Sequence, residues 1–203
     1  MKVKIFSMGE NYTNCYIVYD EKTAEAFCVD VCDRINEKYF DFIHQKKLNV
    51  RYLFLTHGHY DHTQDILTFK AHFPDTKIII SKIDFNNIEA HLPVFCDTKQ
   101  FVSPDVLCEN GSEYSFADSK VRVLATPGHT SGSVCFIYEN MIFCGDTVFH
   151  QSIGRTDLPT GSFFDIMQSV QKISMMGDYK LLPGHMDVTD IATEKRVNGY
   201  FKK

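Results

Sequence analysis

Thr56-His57-Gly58-His59-Tyr60-Asp61-His62 is the stretch that decides how this chain is read. Four side chains able to ligate a metal, those of His57, His59, Asp61 and His62, follow the apolar run Tyr52-Leu53-Phe54-Leu55, which reads as a strand. Neutral imidazole and carboxylate oxygen are the donors that zinc and neighbouring divalent ions accept. Each residue also has a plainer reading, as an exposed loop histidine or as an aspartate capping a helix that begins near Thr63. The density of donors at one strand end argues against the plainer reading. In an extended chain His57, His59 and Asp61 face one side and His62 falls out of phase. That spacing suits two adjacent ions, with His57 and His59 on one and Asp61 and His62 on the other.

The missing donors are sought downstream. His129 and His185 each follow a Pro-Gly pair, in Pro127-Gly128-His129 and Pro183-Gly184-His185. Glycine lets backbone approach closely and proline stiffens it, so both imidazoles fit rigid turns at strand ends. Asp146, in Gly145-Asp146-Thr147, follows the strand-like run Met141-Ile142-Phe143-Cys144, which brings its carboxylate to a sheet edge. Ordinary turn histidines and an Asx-turn aspartate are the alternatives. Two ions with a bridging carboxylate would lower the pKa of a shared water from about 15.7 towards roughly 7.

On these motifs the chain resembles the metallo-β-lactamase superfamily, and within it the short hydroxyacylglutathione hydrolase (glyoxalase II-like) branch. The resemblance spans essentially the whole sequence. It also includes Thr126-Pro127-Gly128-His129-Thr130-Ser131-Gly132-Ser133, Gly145-Asp146-Thr147-Val148-Phe149, Ser152-Ile153-Gly154-Arg155-Thr156-Asp157-Leu158-Pro159 and the tail Glu194-Lys195-Arg196. It implies His57, His59 and His129 on metal one, Asp61, His62 and His185 on metal two, and Asp146 bridging, with zinc the expected ion and iron or manganese the alternatives. Asp61 or Asp146 would in addition orient the attacking water. It implies an α/β fold, a four-layer αββα sandwich with the metals at one edge between two facing sheets. Two departures bear on the substrate. The additional C-terminal helical region with which longer glyoxalase II enzymes contact glutathione is not expected in the stretch from His185 to Lys203, and Met186-Asp187 stands where the family commonly has Gly-Pro.

Composition sets the surroundings. The 203 residues are 44% apolar and include 17 phenylalanines, with no internal shift in composition, so one domain over 1–203 is expected. The 7 cysteines form no CxxC pair, Cys28 and Cys32 lacking the second half of a zinc knuckle. That pattern predicts a reducing, cytoplasmic setting. Met1-Lys2-Val3-Lys4-Ile5-Phe6 does not read as a secretory signal, and no apolar stretch reaches membrane length. With 21 basic against 26 acidic residues and no basic stripe, nucleic acid is not an expected partner. Two divalent ions against Asp61, Asp146 and one hydroxide would leave about one positive charge, which suits a small anionic substrate.

Strands are predicted at Val3–Phe6, Cys15–Tyr19, Ala26–Val31, Tyr52–Leu55 and Lys77–Ile80, with helical spacing at Ile35, Tyr39, Phe42 and Ile43 and a helix over 63–72. A second, similar series has strands at Val121–Leu124, Val134–Tyr138, Met141–Cys144 and Tyr179–Leu182, and a helix over 163–175 opened by a Ser162/Asp165 capping box. Periodicity alone gives a mixed α/β domain. The irregular segment 84–114 is read either as a wall of the substrate mouth or as a solvated excursion with one short helix. Arg155 and Asp157 either pair to fix the Asp146 loop or leave Arg155 for a substrate carboxylate. His44, His72, His91 and His150 are not expected to bind metal, and Cys15 is expected in the core.

Thioester hydrolysis is the reaction these parts match, because a thiol of pKa near 8.5 makes a far better leaving group than an alcohol. The expected substrate is an S-2-hydroxyacyl glutathione or a related thiol conjugate. A persulfide dioxygenase with a single iron, a lactonase or phosphodiesterase, and a binding protein with a degenerate site are the competing readings.

Overall fold

The computed structural model describes residues 1–201, so the last two positions of the expected 1–203 unit lie outside the described residues. Strands β1 (Lys2–Met8), β2 (Thr13–Tyr19), β3 (Glu25–Val29), β4 (Asn49–Phe54), β5 (Lys77–Ser81) and β6 (Val106–Cys108) form one six-stranded sheet in sequential order. β1, β2 and β3 are antiparallel, whereas β3 to β6 run parallel. The second half supplies β7 (Glu113–Phe116), β8 (Ser119–Ala125), β9 (Val134–Tyr138), β10 (Met141–Gly145), the short hairpin β11 (Val148–Phe149) and β12 (Ser152–Ile153), then β13 (Lys180–Pro183) and β14 (Thr189–Asp190). Its six-stranded sheet has the order β14-β13-β10-β9-β8-β7, with β10 and β13 parallel.

Alternation along the strands builds four layers. Ile17, Cys28, Leu53, Ile78 and Ile80 face outward from the first sheet, against Tyr39, Phe40 and Ile43 of α1 (Glu37–Gln45) and Ile66 and Phe69 near α2 (Tyr60–Thr63) and along α3 (Ile66–His72). Their neighbours Tyr16, Val18, Phe27, Val29, Phe54 and Ile79 point the other way and meet Val121, Val123, Phe136, Tyr138 and Phe143 between the sheets. On the far side Ile137, Ile142, Cys144 and Leu181 pack against α5 (Phe163–Ser174) and α6 (Ile191–Val197). This is the αββα sandwich that the sequence resemblance implies. Phe27 is its central anchor, edge-on to Phe54, Phe116, Tyr138 and Phe143 at centroid distances of 4.8–5.9 Å. Truncating so enclosed a ring to alanine costs about 3–5 kcal/mol.

One expectation needs correction, and two alternatives left open are decided. The helix expected over 63–72 is split into α2 and α3 at Gln64 and Asp65, because the Asp65 carboxylate leaves the helix to accept the Ile35 amide at 2.6 Å. His59 occupies the N-cap position of α2, so Asp61 sits in its first turn and the plainer reading of it as a cap falls away. Segment 84–114 carries something of both readings: Val94 lines the wall of the cavity described below, while the rest holds most of the short helix α4 (Lys82–Glu89), the edge strand β6 and the start of β7. The Ser162 hydroxyl accepts the Asp165 amide at 3.2 Å as expected of a cap, while the Ser162 amide bonds Gly128.

Candidate metal centre

Parallel pairing carries the motif residues to one edge. β4 ends just before Thr56, β10 just before Asp146 and β13 just before Gly184, while His129 sits on the turn between β8 and β9. The carboxyl ends of parallel strands are where α/β sheets place ligands. Backbone bonds stitch the sheets together here, Val134 N–H donating to Thr56 O at 2.9 Å and Asn14 N–H to Gly184 O at 2.7 Å. Asn14 also donates from its side chain to Pro183 O and Met186 O, which fixes the turn that bears His185.

All seven candidate ligands meet at this edge. The donor atoms fall into three groups able to hold an ion, His57/His59/His129, His57/His62/Asp146 and Asp61/His62/His185, with atoms in each group within 4.8 Å of one another. Among the described residues no other histidine, cysteine, aspartate or glutamate joins such a group. His129 Nε2 lies 2.9 Å from His59 Nδ1, and His62 Nε2 lies 3.2 Å from His185 Nε2. Asp146 spans the two halves, with Oδ1 3.3 Å from His62 Nε2 and Oδ2 3.4 Å from His129 Nε2 and 3.5 Å from His185 Nε2. Asp61 Oδ2 is 3.5 Å from His185 Nε2.

The outward-facing ring nitrogens settle which nitrogen faces the centre. A carboxylate or carbonyl only accepts, so His62 Nδ1–H donates to Asp30 Oδ2 (2.8 Å), His129 Nδ1–H to Arg155 O (2.8 Å) and His185 Nδ1–H to Asn11 O (3.0 Å). The Thr56 hydroxyl gives its hydrogen to Asp30 Oδ2 and therefore receives one from His57 Nδ1 at 3.1 Å. Four imidazoles thus turn an Nε2 lone pair inward, the orientation that second partners impose on metal-binding histidines. His57 Nε2 and Asp146 Oδ1 are buried with no hydrogen-bond partner, whereas His59 turns Nδ1 rather than Nε2 to His129. Buried polar atoms without partners are costly, and lone pairs facing one another need positive charge between them. The donor set therefore fits divalent ions.

Electrostatics agree. Burial pushes His57 far below the usual imidazole range and takes His59 down to about 3, helped by the neighbouring rings. At His62 burial is outweighed by the carboxylates of Asp146, Asp61 and Asp30, which lift it well above that range; at His185 the same contest, won by Asp146 and Asp61, ends at about 9. Asp61 goes down to about 2 and Asp146 is held well below the usual carboxylate range, burial being overcome in both by His62 and its neighbours. Without metal the two carboxylates hold protons on His62 and His185, the place a cation would take.

Several residues of this architecture carry no motif. Asp30, 1% exposed, also accepts the Thr56 amide at 2.8 Å, and so supports His57 and His62 together. Its one sequence signal is that it follows an apolar strand as Asp146 does. Asp84 is buried and accepts Gly58 N–H (2.9 Å), Thr130 Oγ1–H (2.7 Å) and Gly132 N–H (3.1 Å), tying the first histidine motif to the His129 turn. Gly184 is required by close approach: a Cβ there would collide with Asp146 Oδ1 and His62 Cε1. Arg155 and Asp157 do pair, through two bonds of 2.7 Å, while the Arg155 carbonyl orients His129. His150 bonds Glu194 at 2.9 Å and His44 faces His72, and neither pair joins the cluster.

The centre opens into a cavity of about 580 Å³ whose other walls include Tyr60, Val94, Phe149, Ile153, Arg155 and Leu158. The family model of the metallo-beta-lactamase superfamily matches residues 8–185. Hydroxyacylglutathione hydrolase GloC of Haemophilus influenzae is 26% identical over 212 residues, covering 98% of this chain and 98% of that protein. Among solved structures, BLEG-1 B3 metallo-beta-lactamase superposes with a TM-score of 0.86 at 25% identity, covering 100% of both chains. ETHE1 from Myxococcus xanthus superposes at 0.82 with 24% identity, over 98% of this chain and 84% of that one, a likeness of fold alone. Four separate motifs gathered at one edge of an αββα sandwich, together with a family match over residues 8–185, make this chain a member of the metallo-beta-lactamase superfamily.

Proposed function

We propose that the protein is a metal-dependent hydrolase that cleaves thioesters such as an S-2-hydroxyacyl glutathione or a related thiol conjugate. The observation that carries this reading is the complete set of seven converging donors, with His62, His129 and His185 each locked from behind in the tautomer that turns Nε2 inward. His57, His59 and His129 would hold one ion, Asp61, His62 and His185 the other, and Asp146 both. Zinc suits such a nitrogen and oxygen set, as do iron and manganese. Bound there, the ions would supply an activated water at neutral pH and polarise the substrate carbonyl.

The chain's own residues do the rest. Asp61 and Asp146, both ionised, orient the water by accepting its hydrogens, and Val94, Phe149, Ile153 and Leu158 give the acyl group a wall that excludes bulk water. A thiolate leaves without needing a dedicated acid, because its conjugate acid has a pKa near 8.5. Similarity to GloC over 98% of both chains supports the hydroxyacyl thioester. Seven free, buried cysteines support a reducing, cytoplasmic setting, and among the described residues no helix is long and apolar enough to cross a membrane.

The test pairs elemental analysis of bound metal with two assays, hydrolysis of S-lactoylglutathione and oxygen uptake on glutathione persulfide. Two ions per chain with thioester turnover is the expected result. One iron with oxygen uptake would replace this reading by a persulfide dioxygenase.

A further inference from the structure

Asn11 and Tyr60 both line the cavity, and their side chains are joined in a way that holding metal does not require. The Asp61 carboxylate can only accept, so the Asn11 amide nitrogen faces its Oδ2 at 3.0 Å. The same nitrogen gives its other hydrogen to the Tyr60 hydroxyl oxygen at 3.2 Å. Tyr60 therefore receives a hydrogen bond and keeps its own proton, which no acceptor takes among the described residues. Asn11 Oδ1 likewise receives no donor among the described residues. A free O–H donor and a free carbonyl acceptor stand together on the cavity wall beside Asp61.

The pair is held in place from both ends. Asn11 belongs to the turn Gly9–Tyr12, in which Gly9 takes φ 77° and Tyr12 φ 54°. A side chain at Gly9 would drive a Cβ to 2.5 Å from Asp33 Oδ1, so the turn is built for glycine. The Asn11 carbonyl is anchored by His185 Nδ1–H at 3.0 Å, and the Tyr60 amide donates to Val94 O at 3.0 Å. One donor next to one acceptor complements a hydroxyl group, which offers both. A carbonyl would use only the donor, and a methyl group neither.

We propose that the Tyr60 hydroxyl and Asn11 Oδ1 bind the 2-hydroxyl of the acyl group, and so select 2-hydroxyacyl over unsubstituted acyl substrates. The assignment deepens the thioester reading above and rests on it for the identity of the acyl group. Tyr60→Phe removes one oxygen and leaves every proposed metal ligand in place. Wild type and Tyr60→Phe, both metal-loaded, are compared on S-lactoylglutathione and S-propionylglutathione, which differ by that hydroxyl. The expected result is a loss of about tenfold in kcat/KM on the lactoyl substrate, with the propionyl substrate changed by less than about twofold. Equal losses on both, or no loss on either, would overturn the assignment. Calorimetric titration with lactate and with propionate reads the same selectivity without turnover. Wild type should prefer lactate by about tenfold and Tyr60→Phe should not, whereas a wild type indifferent to the hydroxyl refutes the proposal. Failure of both thioesters to react, with the lactate preference intact, would sink the thioester reading and leave the hydroxyl site standing.

Discussion

Replacing Asp30 by Asn tests the back wall of the centre without touching a proposed ligand. Asp30 has φ 58°, a left-handed conformation that asparagine tolerates better than most residues, so the backbone turn survives the change. What does not survive is the acceptor set. Asp30 takes hydrogen bonds of 2.8 Å from the Thr56 amide, the Thr56 hydroxyl and His62 Nδ1–H, and a carboxamide presents one oxygen and one NH2. With NH2 on the His62 side, two donors meet, and His62 escapes only by moving its proton to Nε2, the nitrogen that faces the centre. With NH2 on the other side, it meets the Thr56 amide instead. A hydrogen bond to a charged group is worth about 1.5–3 kcal/mol, and so its loss should weaken the ion at His62 by about 10- to 100-fold. The assay is competition for Zn2+ between metal-free protein and a chromophoric chelator, resolved into two binding steps. One step should weaken by that factor while the other shifts less. Two steps of unchanged affinity would refute the claim that Asp30 sets the His62 tautomer.

Other outcomes follow from the same geometry. Removing metal with a chelator should lower the melting temperature by roughly 10–20 °C, since each of two ions at 100 times its dissociation constant contributes about 2.7 kcal/mol and this size of chain shifts about 2–4 °C per kcal/mol; coincident melting curves would argue against a bound centre. In the metal-free protein the carboxylates lift His185 to about 9, so stability from that proton is full below the ordinary imidazole pKa near 6.5 and is lost as pH rises through about 9. Melting measured from pH 6 to pH 10 should show that decline, whereas the metal-loaded protein should bind its ions less tightly as pH falls, because protons compete for the same nitrogens. Gly184→Ala should abolish turnover and reduce metal content by disturbing Asp146 and His62, and a fully loaded, active variant would disprove the close approach.

The candidate site was legible wherever a donor lies inside a compact motif. His57, His59, Asp61 and His62 announce themselves by density, and His129, Asp146 and His185 by the glycines beside them. Asp30, Asp84 and Asn11 could not be read in this way, because each acts on a partner far along the chain that only strand pairing brings near. Asp30 reaches Thr56 because β3 and β4 run parallel with Val29 beside Phe54. The layers were legible from alternation in β2, β3 and β4, and less so where a tertiary bond overrides periodicity. The break between α2 and α3 is such a case, made by an aspartate that prefers a distant amide to its own helix.

The distribution of donors between the two sheets bears on how the protein is made. His57, His59, Asp61 and His62 follow β4 of the first sheet, whereas Asp146 and His185 follow β10 and β13 of the second. A nascent chain still short of its final strands on the ribosome would hold half a nest, so ion capture belongs among the last events of maturation. Once seated, the cations rivet the halves across their shared seam, and slow unfolding of the loaded protein should begin elsewhere than at that edge.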